Sequence, residues 1–452
     1  MLIDCFMFFN EYDIVEGRLE YLYDRVDHFI VVEADHTHNG QPKPLNWLSA
    51  MPRYKRWLDK VIYLPMAVDV SGMDFTTPHA TEDQSKPQWM MDRMQRSHIA
   101  HGLRFFPGDS VVMISDADEI PALAAIDAAV GNLGEIEAIA MQQQFFWYDL
   151  SLRQVNHWPG TILSTVGTAL RTGVQALRDV RYHLPSMTHG GWHLSYWGGA
   201  EQIQTKVASF THQEFNKPQY TSAANLAARK AQAQDLYGRM DNPLEAVDPR
   251  TLDPDLVRIW ARYCTNIPHY ADRISGWFTD GDFGFYREMV ATAPATGHFV
   301  EVGSWKGRSS AFMAVEIANS GKNIRFDCVD TWQGSVEHKL GGEFEDSDCV
   351  NGQLRQRFDQ NMRPVDGRYR AVEMTSLAAS QLYDEQSLDL VFLDAAHDLE
   401  NVRADITAWL PKIKKGGVIA GHDWHHPPIQ QAVHETLGDP SCMGGCWYKT
   451  VV

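Results

Sequence analysis

Short apolar runs that close on an acid or a glycine recur along this chain. They include HFIVVEA (His28–Ala34), VVMISD (Val111–Asp116), HFVEVGS (His298–Ser304), IRFDCVD (Ile324–Asp330) and LDLVFLD (Leu388–Asp394). Each is short and bounded by polar residues, so each reads as a buried strand. Between them lie stretches with helical spacing, such as EGRLEYLYDRV, LENVRADITAWLPKI and KPQWMMDRMQRSHIAHGL, the last with Pro87 near its start. This alternation predicts an α/β fold with largely parallel sheets. Ligands in such sheets sit at the carboxyl ends of the strands, so the closing acids are the first candidate functional residues.

The 452 residues exceed the roughly 100–200 of a typical domain, and two domains are expected. An alanine-rich helix, AANLAARKAQAQDLYGRM, is followed by DNPLEAVDPRTLDPDL, which holds three prolines and many acids. That stretch reads as a connector over 239–272, between a first domain at 1–238 and a second at 273–452. The formal net charge of −18 repels phosphate backbones, which argues against a nucleic-acid partner. Six scattered cysteines are too few for a disulfide scaffold. Cys442 and Cys446 with His425 and His426 do not match the common zinc spacings and read as ordinary thiols. MLIDCFMFF lacks a basic leader and a cleavage site and reads as a core strand. No run approaches the roughly 20 apolar residues of a membrane span, so a reducing, cytoplasmic location is expected.

In the second half, Gly303 ends a strand and Gly307 precedes a helix. Glycine lets backbone approach a ligand, and a helix amino end favours anions. Asp330 ends the next strand, where a carboxylate can accept from ribose hydroxyls. Glu301 stands just before the turn. It would repel a pyrophosphate and attract an amine or a sulfonium, which favours S-adenosylmethionine over a dinucleotide. The motif from Glu301 through Gly303, Ser304, Trp305, Gly307, Arg308 and Ser309 resembles class I S-adenosylmethionine-dependent methyltransferases, as do VDTW (Val329–Trp332), LDAAHD (Leu393–Asp398) and GGVIAGHDW (Gly416–Trp424). The resemblance implies a Rossmann-like, doubly wound domain. Glu301 and the Gly303–Gly307 loop would hold the methionine part, Asp330 with Thr331 and Trp332 the ribose, and Met374–Ser376 would lie near the adenine. In related sugar O-methyltransferases aspartates hold a divalent ion, which here implies Asp394 and Asp423. His397 or Asp394 would be the base. His422 stands where a second acid is common. Only about 15 residues follow the last expected helix, so the usual two closing strands are not expected to fit.

In the first half, SDADEIP places Asp116 and Asp118 two apart at a strand end. A bend there brings both to one cation, and magnesium or manganese suits such carboxylates. The long stretch DCFMFFNEYDIVEGRLEYLYDRVDHFIVVEADHTHNGQPKPLNW resembles the amino-terminal part of glycosyltransferase family 17, the β-1,4-mannosyl-glycoprotein β-1,4-N-acetylglucosaminyltransferase family. QFFWYDL (Gln144–Leu150), HWPGT (His157–Thr161), GGWHLSYWGG (Gly190–Gly199) and SFTHQEFN (Ser209–Asn216) continue the match. The resemblance implies a GT-A-like nucleotide-sugar fold, an inverting reaction and a UDP-sugar donor. Asp116 and Asp118 would bind the ion, with His193 or His212 as a further ligand. Glu119 and Glu214 are candidates for the base. Glu33, Lys43, Arg93 and Arg96 are candidates for the donor's polar groups, and Trp192 and Tyr196 for a sugar face.

The expected protein is therefore a bifunctional enzyme. One domain adds a sugar, taken as N-acetylglucosamine, to a glycan or glycoconjugate, and the other O-methylates a sugar hydroxyl. Two rivals stand beside this reading. The first domain could be a degenerate glycan-binding module attached to a working methyltransferase, or the methyl group could go to a non-sugar hydroxyl.

Overall fold

The computed structural model describes residues 1–76, 85–239 and 243–452. The chain divides into two compact units, Met1–Thr251 with Tyr263–Thr265, and Leu252–Arg262 with Asn266–Val452. The stretch expected as a connector is thus shared between them, and its residues 240–242 lie outside the described residues. Leu244–Ala246 pairs in the first unit's sheet, and helix Pro254–Trp260 buries Leu256, Val257, Ile259 and Trp260 in the second. The alanine-rich helix spans Ala223–Ala231 only, and Ala233 beyond it is left-handed.

The strands of the first unit are β1 (Leu2–Met7), β2 (His28–Ala34), β3 (Val61–Met66), β4 (Val111–Asp116), β5 (Glu119–Pro121), β6 (Ala138–Trp147), β7 (Leu152–Gln154), β8 (Trp158–Thr165), β9 (Ser186–Met187), β10 (Gly191–Ser195) and β11 (Leu244–Ala246). They form one sheet with the path β11-β7-β6-β8-β4-β1-β2-β3, and β10 joins β5 to β6. β1 to β4 are mutually parallel where they pair, and β8 runs antiparallel to β4. Ile3, Cys5, Ile30, Val32, Val112 and Ile114 pack with Ile99 and Leu103 of helix Pro87–Leu103 to form a core. In register, Met7 of β1 faces Asp116 of β4, so both strands end level and open one crevice.

A charge sits inside this core. Arg18, in helix Tyr12–Leu22, is fully buried and makes a two-pronged pair with Asp4 of β1 at 2.7 and 2.6 Å. Its Nη1 donates to the carbonyls of Asp116, Ala117 and Glu119 at 3.2, 3.3 and 2.7 Å. One guanidinium thus fixes the backbone of the acidic loop.

The second unit has β12 (Thr296–Val302), β13 (Asn323–Asp330), β14 (Arg370–Glu373), β15 (Leu388–Leu393), β16 (Ile413–Gly421), β17 (Ser441–Met443) and β18 (Cys446–Thr450). Their order is β14-β13-β12-β15-β16-β18-β17. The first five are parallel, and order reverses beside β12, which makes a doubly wound sheet with its crevice at that switch. The two closing strands do fit, contrary to the sequence expectation. β18 runs antiparallel to β16 and β17 to β18, through a tight turn at Gly444 and Gly445. Gly444 has φ +60°, and a Cβ there would lie 2.6 Å from the Gly281 carbonyl carbon. Among the described residues all six cysteines are free, and no helix is long and apolar enough to cross a membrane.

Removing Arg18 strands a buried carboxylate. Arg18→Met is expected to cost about 3–5 kcal/mol of first-unit stability in urea unfolding, and adding Asp4→Asn is expected to recover part of it. In the second unit, burial pushes the Asp405 carboxyl up to about 6. The folded form then binds a proton more tightly than the unfolded chain. Stability is expected to fall as pH rises from the ordinary carboxylate range through about 6, by about 3 kcal/mol in all, and Asp405→Asn is expected to flatten that slope.

Candidate active sites

The crevice of the first unit is a hollow of about 500 Å³ at the ends of β1 and β4. Its walls are rich in cations: Lys43, Arg96, Arg178, Arg181, Lys206 and Arg239 all line it. The acidic pair lies among them. Arg96 and Arg178 hold the two oxygens of Asp116 at 2.8 and 2.9 Å. Lys206 Nζ lies 2.7 Å from Asp118, and His193 Nε2 lies 3.5 Å from its other oxygen. Burial opposes ionisation of Asp118, yet Lys206 and His193 hold its carboxyl well below the usual range. Helices Pro87–Leu103, Val174–Asp179 and Ala200–Ser209 bring in Arg96, Arg178 and Lys206, which sequence spacing could not pair with the acids.

The expected site residues divide sharply. Lys43, Arg96, Asp116, Asp118, His193, Tyr196 and His212 line the hollow. Glu33, Arg93, Glu119, Trp192 and Glu214 do not. Glu119 is fully buried, accepting from Trp158 Nε1 at 2.7 Å, from the Asp116 amide at 2.9 Å and from Arg178. A carboxylate so engaged is a brace rather than a base. Glu33 accepts from Lys43, Tyr63 and the amides of Asn46 and Trp47 at 2.6–3.0 Å, so it caps a helix start. Trp192 packs against Tyr21, Arg93 pairs with Asp179, and Glu214 pairs with His212. Of the two rings expected at a sugar face, Tyr196 lines the hollow, stacked on Trp147 with centroids 4.8 Å apart.

Sequence reading missed Glu11. It lines the hollow, and its Oε2 accepts from the amides of Phe9 and Asn10 at 3.0 and 3.1 Å. Among the described residues it is the lining carboxylate without an ion pair, whereas Asp92, Asp116, Asp118 and Asp179 each have one. Burial raises the pKa of Glu11. The local signal is FFNE, an acid four residues beyond the end of β1.

The hollow of the second unit, about 900 Å³, opens beside the turn after β12. Gly303, Ser304, Trp305, Arg308 and Ser309 line it, with Asp330, Thr331 and Ser376. Gly303 (φ +95°) must be glycine, because a Cβ would lie 2.2 Å from the Asp394 carbonyl oxygen. Trp305 is itself left-handed, with φ +49°. Asp330 accepts from the amides of Trp305 and Trp332 at 2.8 and 2.7 Å.

Glu301, Gly307 and Trp332 stand behind the turn and do not line the hollow. Glu301 is buried and accepts from Tyr286 and Ser304 at 2.8 Å and from Ser310. Its expected contact with a ligand amine is replaced by shaping of the loop. Gly307 faces Phe358 and Met362, and Trp332 donates to the Trp305 carbonyl at 3.0 Å.

Two anchors fix the flanks. Arg308 donates to the carbonyls of Ala271, Asp272, Ile274 and Phe278 at 2.8–3.2 Å, holding the segment that carries Trp277. Lys306 pairs with Asp346 and Asp348 at 2.6 and 2.8 Å, holding the segment that carries His338 and Phe344. Trp277, Trp305 and His338 make ring contacts at 4.3–5.9 Å along this rim.

Asp394, His397 and Asp423 line the same hollow, with His422 between acids. His422 Nε2 lies 3.3 Å from Asp282, and its Nδ1 lies 3.6 and 3.5 Å from Asp394 and Asp423. Burial alone would lower its pKa, yet those three carboxylates push it up to about 12. Asp423, left-handed at φ +57°, sends Oδ2 to within 3.0 Å of His397 Nε2. Among the described residues two clusters bring three possible metal donors within 4.8 Å of one another, Asp394-His422-Asp423 and Asp423-His425-His426. Both belong to the second unit, so Asp116, Asp118, His193 and His212 do not converge as a set of three.

Residues 1–242, more than half of the chain, match glycosyltransferase family 17. This chain belongs to glycosyltransferase family 17. Residues 300–424 match a methyltransferase domain, so this family 17 protein carries a second transferase domain. The β-1,4-mannosyl-glycoprotein 4-β-N-acetylglucosaminyltransferases of Rattus norvegicus and Homo sapiens are each 24% identical to it over 240 residues, covering 46% of this chain and 42% of theirs. An uncharacterized Sinorhizobium fredii protein, y4gI, is 28% identical over 158 residues, covering 34% of this chain and 16% of its own. The family 17 chain thus spans less than half the length of these curated relatives. Among solved structures, the O-methyltransferase NovP is 18% identical with a TM-score of 0.29, covering 38% of this chain and 79% of that one. The calicheamicin methyltransferase CalS11 is 19% identical with a TM-score of 0.28, covering 37% and 76%.

Gly303→Ala is expected to cost the family 17 protein about 2 kcal/mol or more in thermal unfolding. Gly352, also left-handed at φ +66° but with open space around it, gives the control, and Gly352→Ala is expected to cost only about 1 kcal/mol.

Proposed function

We propose that this chain is a bifunctional enzyme: an inverting UDP-sugar glycosyltransferase, with N-acetylglucosamine as the donor sugar, joined to an S-adenosylmethionine-dependent O-methyltransferase acting on a sugar hydroxyl. The observation that carries the reading is the contrast between the hollows. Both are lined by acids and imidazoles, but the first adds six lysines and arginines where the second has Arg308, and each lies at the carboxyl ends of parallel strands.

In the first, Arg96, Arg178 and Arg181 would meet a diphosphate, the first two by exchanging their carboxylate partners for it, and Tyr196 would offer a ring to a sugar face. Asp118 and His193 fit a divalent ion as two ligands, with the remaining positions open to substrate oxygens. Such an ion would neutralise charge on the leaving diphosphate. Glu11 takes the proton of the acceptor hydroxyl as its oxygen bonds to the anomeric carbon and the bond to the diphosphate breaks. Glu11 therefore takes the role first assigned to Glu119 or Glu214.

In the second, the Gly303–Trp305 backbone and Asp330 would hold the cofactor's methionine and ribose, and Ser376 would meet its base. S-adenosylmethionine supplies a methyl group on a positively charged sulfur. Asp394 or His397 would accept the acceptor hydroxyl's proton as its oxygen bonds to the methyl carbon and the methyl–sulfur bond breaks, leaving S-adenosylhomocysteine. Asp394 and Asp423 converge closely enough to fit a divalent ion, which would polarise that hydroxyl. The ion pairs that fill the acidic motif of the first unit favour a second reading, in which that unit binds a nucleotide sugar without turning it over.

Transfer from labelled UDP-N-acetylglucosamine and labelled S-adenosylmethionine separates these readings. Asp330→Ala is expected to weaken S-adenosylhomocysteine binding by about tenfold or more while leaving thermal stabilisation by UDP unchanged. Asp118→Ala is expected to do the reverse with manganese present. Loss of both responses in either variant would count against two independent sites.

A further inference from the structure

Asp423 presents its two oxygens to different neighbours. Oδ1 faces His422 in the interior, and Oδ2 lies 3.0 Å from His397 Nε2 toward the rim. On the rim stand His425 and His426, both exposed, with ring centroids 4.4 Å apart. The His426 ring lies 6.1 Å from that of His397. One donor atom from each of Asp423, His425 and His426 lies within 4.8 Å of the other two. Ligands about 2.0–2.1 Å from a tetrahedral ion lie about 3.3 Å apart, so modest side-chain rotation closes the set. This spacing comes from the local chain. Asp423 is left-handed just beyond β16, and His426 is the cap of helix Pro427–Leu437, so the short link between them doubles back.

We propose that Asp423, His425 and His426 form a binding site for a zinc-class transition ion at the mouth of the methyltransferase hollow, with His397 poised as a fourth ligand. Two or three imidazoles and one carboxylate suit zinc or cobalt. Magnesium prefers an all-oxygen shell and keeps its waters, so it is a poor match. The site shares Asp423 with the Asp394-Asp423 pair but completes its shell with imidazoles, and it does not depend on methyl transfer being the unit's activity. Until His397 closes on the ion, the three protein ligands leave a coordination position open.

The test uses the full chain, stripped of metal and titrated with Co²⁺ while its visible absorption is followed. Zn²⁺ calorimetry gives an independent affinity. With a roughly hundredfold excess of Mg²⁺ present to compete at the carboxylate sites, one bound equivalent of Co²⁺ is expected to remain. His425→Ala with His426→Ala is expected to lower affinity by about tenfold or more, and Asp394→Asn is expected to change it by less than about twofold. Because both histidines are exposed, thermal unfolding should stay close to that of the parent protein. The paired glutamine variants, His425→Gln with His426→Gln, serve if the alanine pair does not fold. S-adenosylhomocysteine binding, measured on the same variants, reports the cofactor site separately. The proposal is overturned if Asp394→Asn abolishes cobalt binding while the histidine variants keep it. Displacement by Mg²⁺ at comparable concentration would overturn it too.

Discussion

A single buried guanidinium holds the first site together. Arg18 neutralises Asp4 in the core and takes three carbonyls of the loop that carries Asp116 and Asp118. A charge this far from water persists only when its donors are satisfied, so the loop has little freedom to take another shape. The second unit uses the opposite sign for the same purpose. Buried Glu301 collects hydroxyls from Tyr286, Ser304 and Ser310 and so bends the turn after β12. In both units the acids and turns that line a hollow are shaped by a buried group that does not line it.

This division of labour explains what the amino-acid order revealed and what it hid. Strand ends were legible because apolar runs closing on acids are local patterns, and β2 spans His28–Ala34 as read. Gly303 and Asp330 were legible for the same reason. Inward and outward acids were not. Glu33, Glu119 and Glu301 carry the same side chain as Glu11, and only tertiary contacts turn three inward and one toward the hollow. Lys43 and Arg96 of the cationic wall were named from the sequence, whereas Arg178 and Lys206 were hidden because they come from helices far from the acids in sequence. The closing strands were missed because a count of residues ignores how sharply Gly444 and Gly445 let the chain reverse.

Composition was an equally poor guide to local sign. The chain carries a formal net charge of −18, yet the hollow beside Asp116 gathers six cationic side chains. Concentrating cations in a low-dielectric crevice makes a strong local field inside an acidic protein. Lys206 illustrates the result: burial works against its charge, but Asp118 and Glu11 raise its pKa and keep it ionised. An incoming anion would therefore inherit a pre-assembled set of partners and would release carboxylates from them.

The two tethers of the methyltransferase rim are unequal. Arg308 grips four backbone carbonyls, which cannot rotate away singly, whereas Lys306 holds two aspartate side chains that can. Breathing of the hollow should then be one-sided, with the Trp277 flank serving as doorframe and the Phe344 flank as door. Traffic of a bulky acceptor would be metered by how fast an ammonium lets go of its carboxylates, a step that dissolved salt hastens.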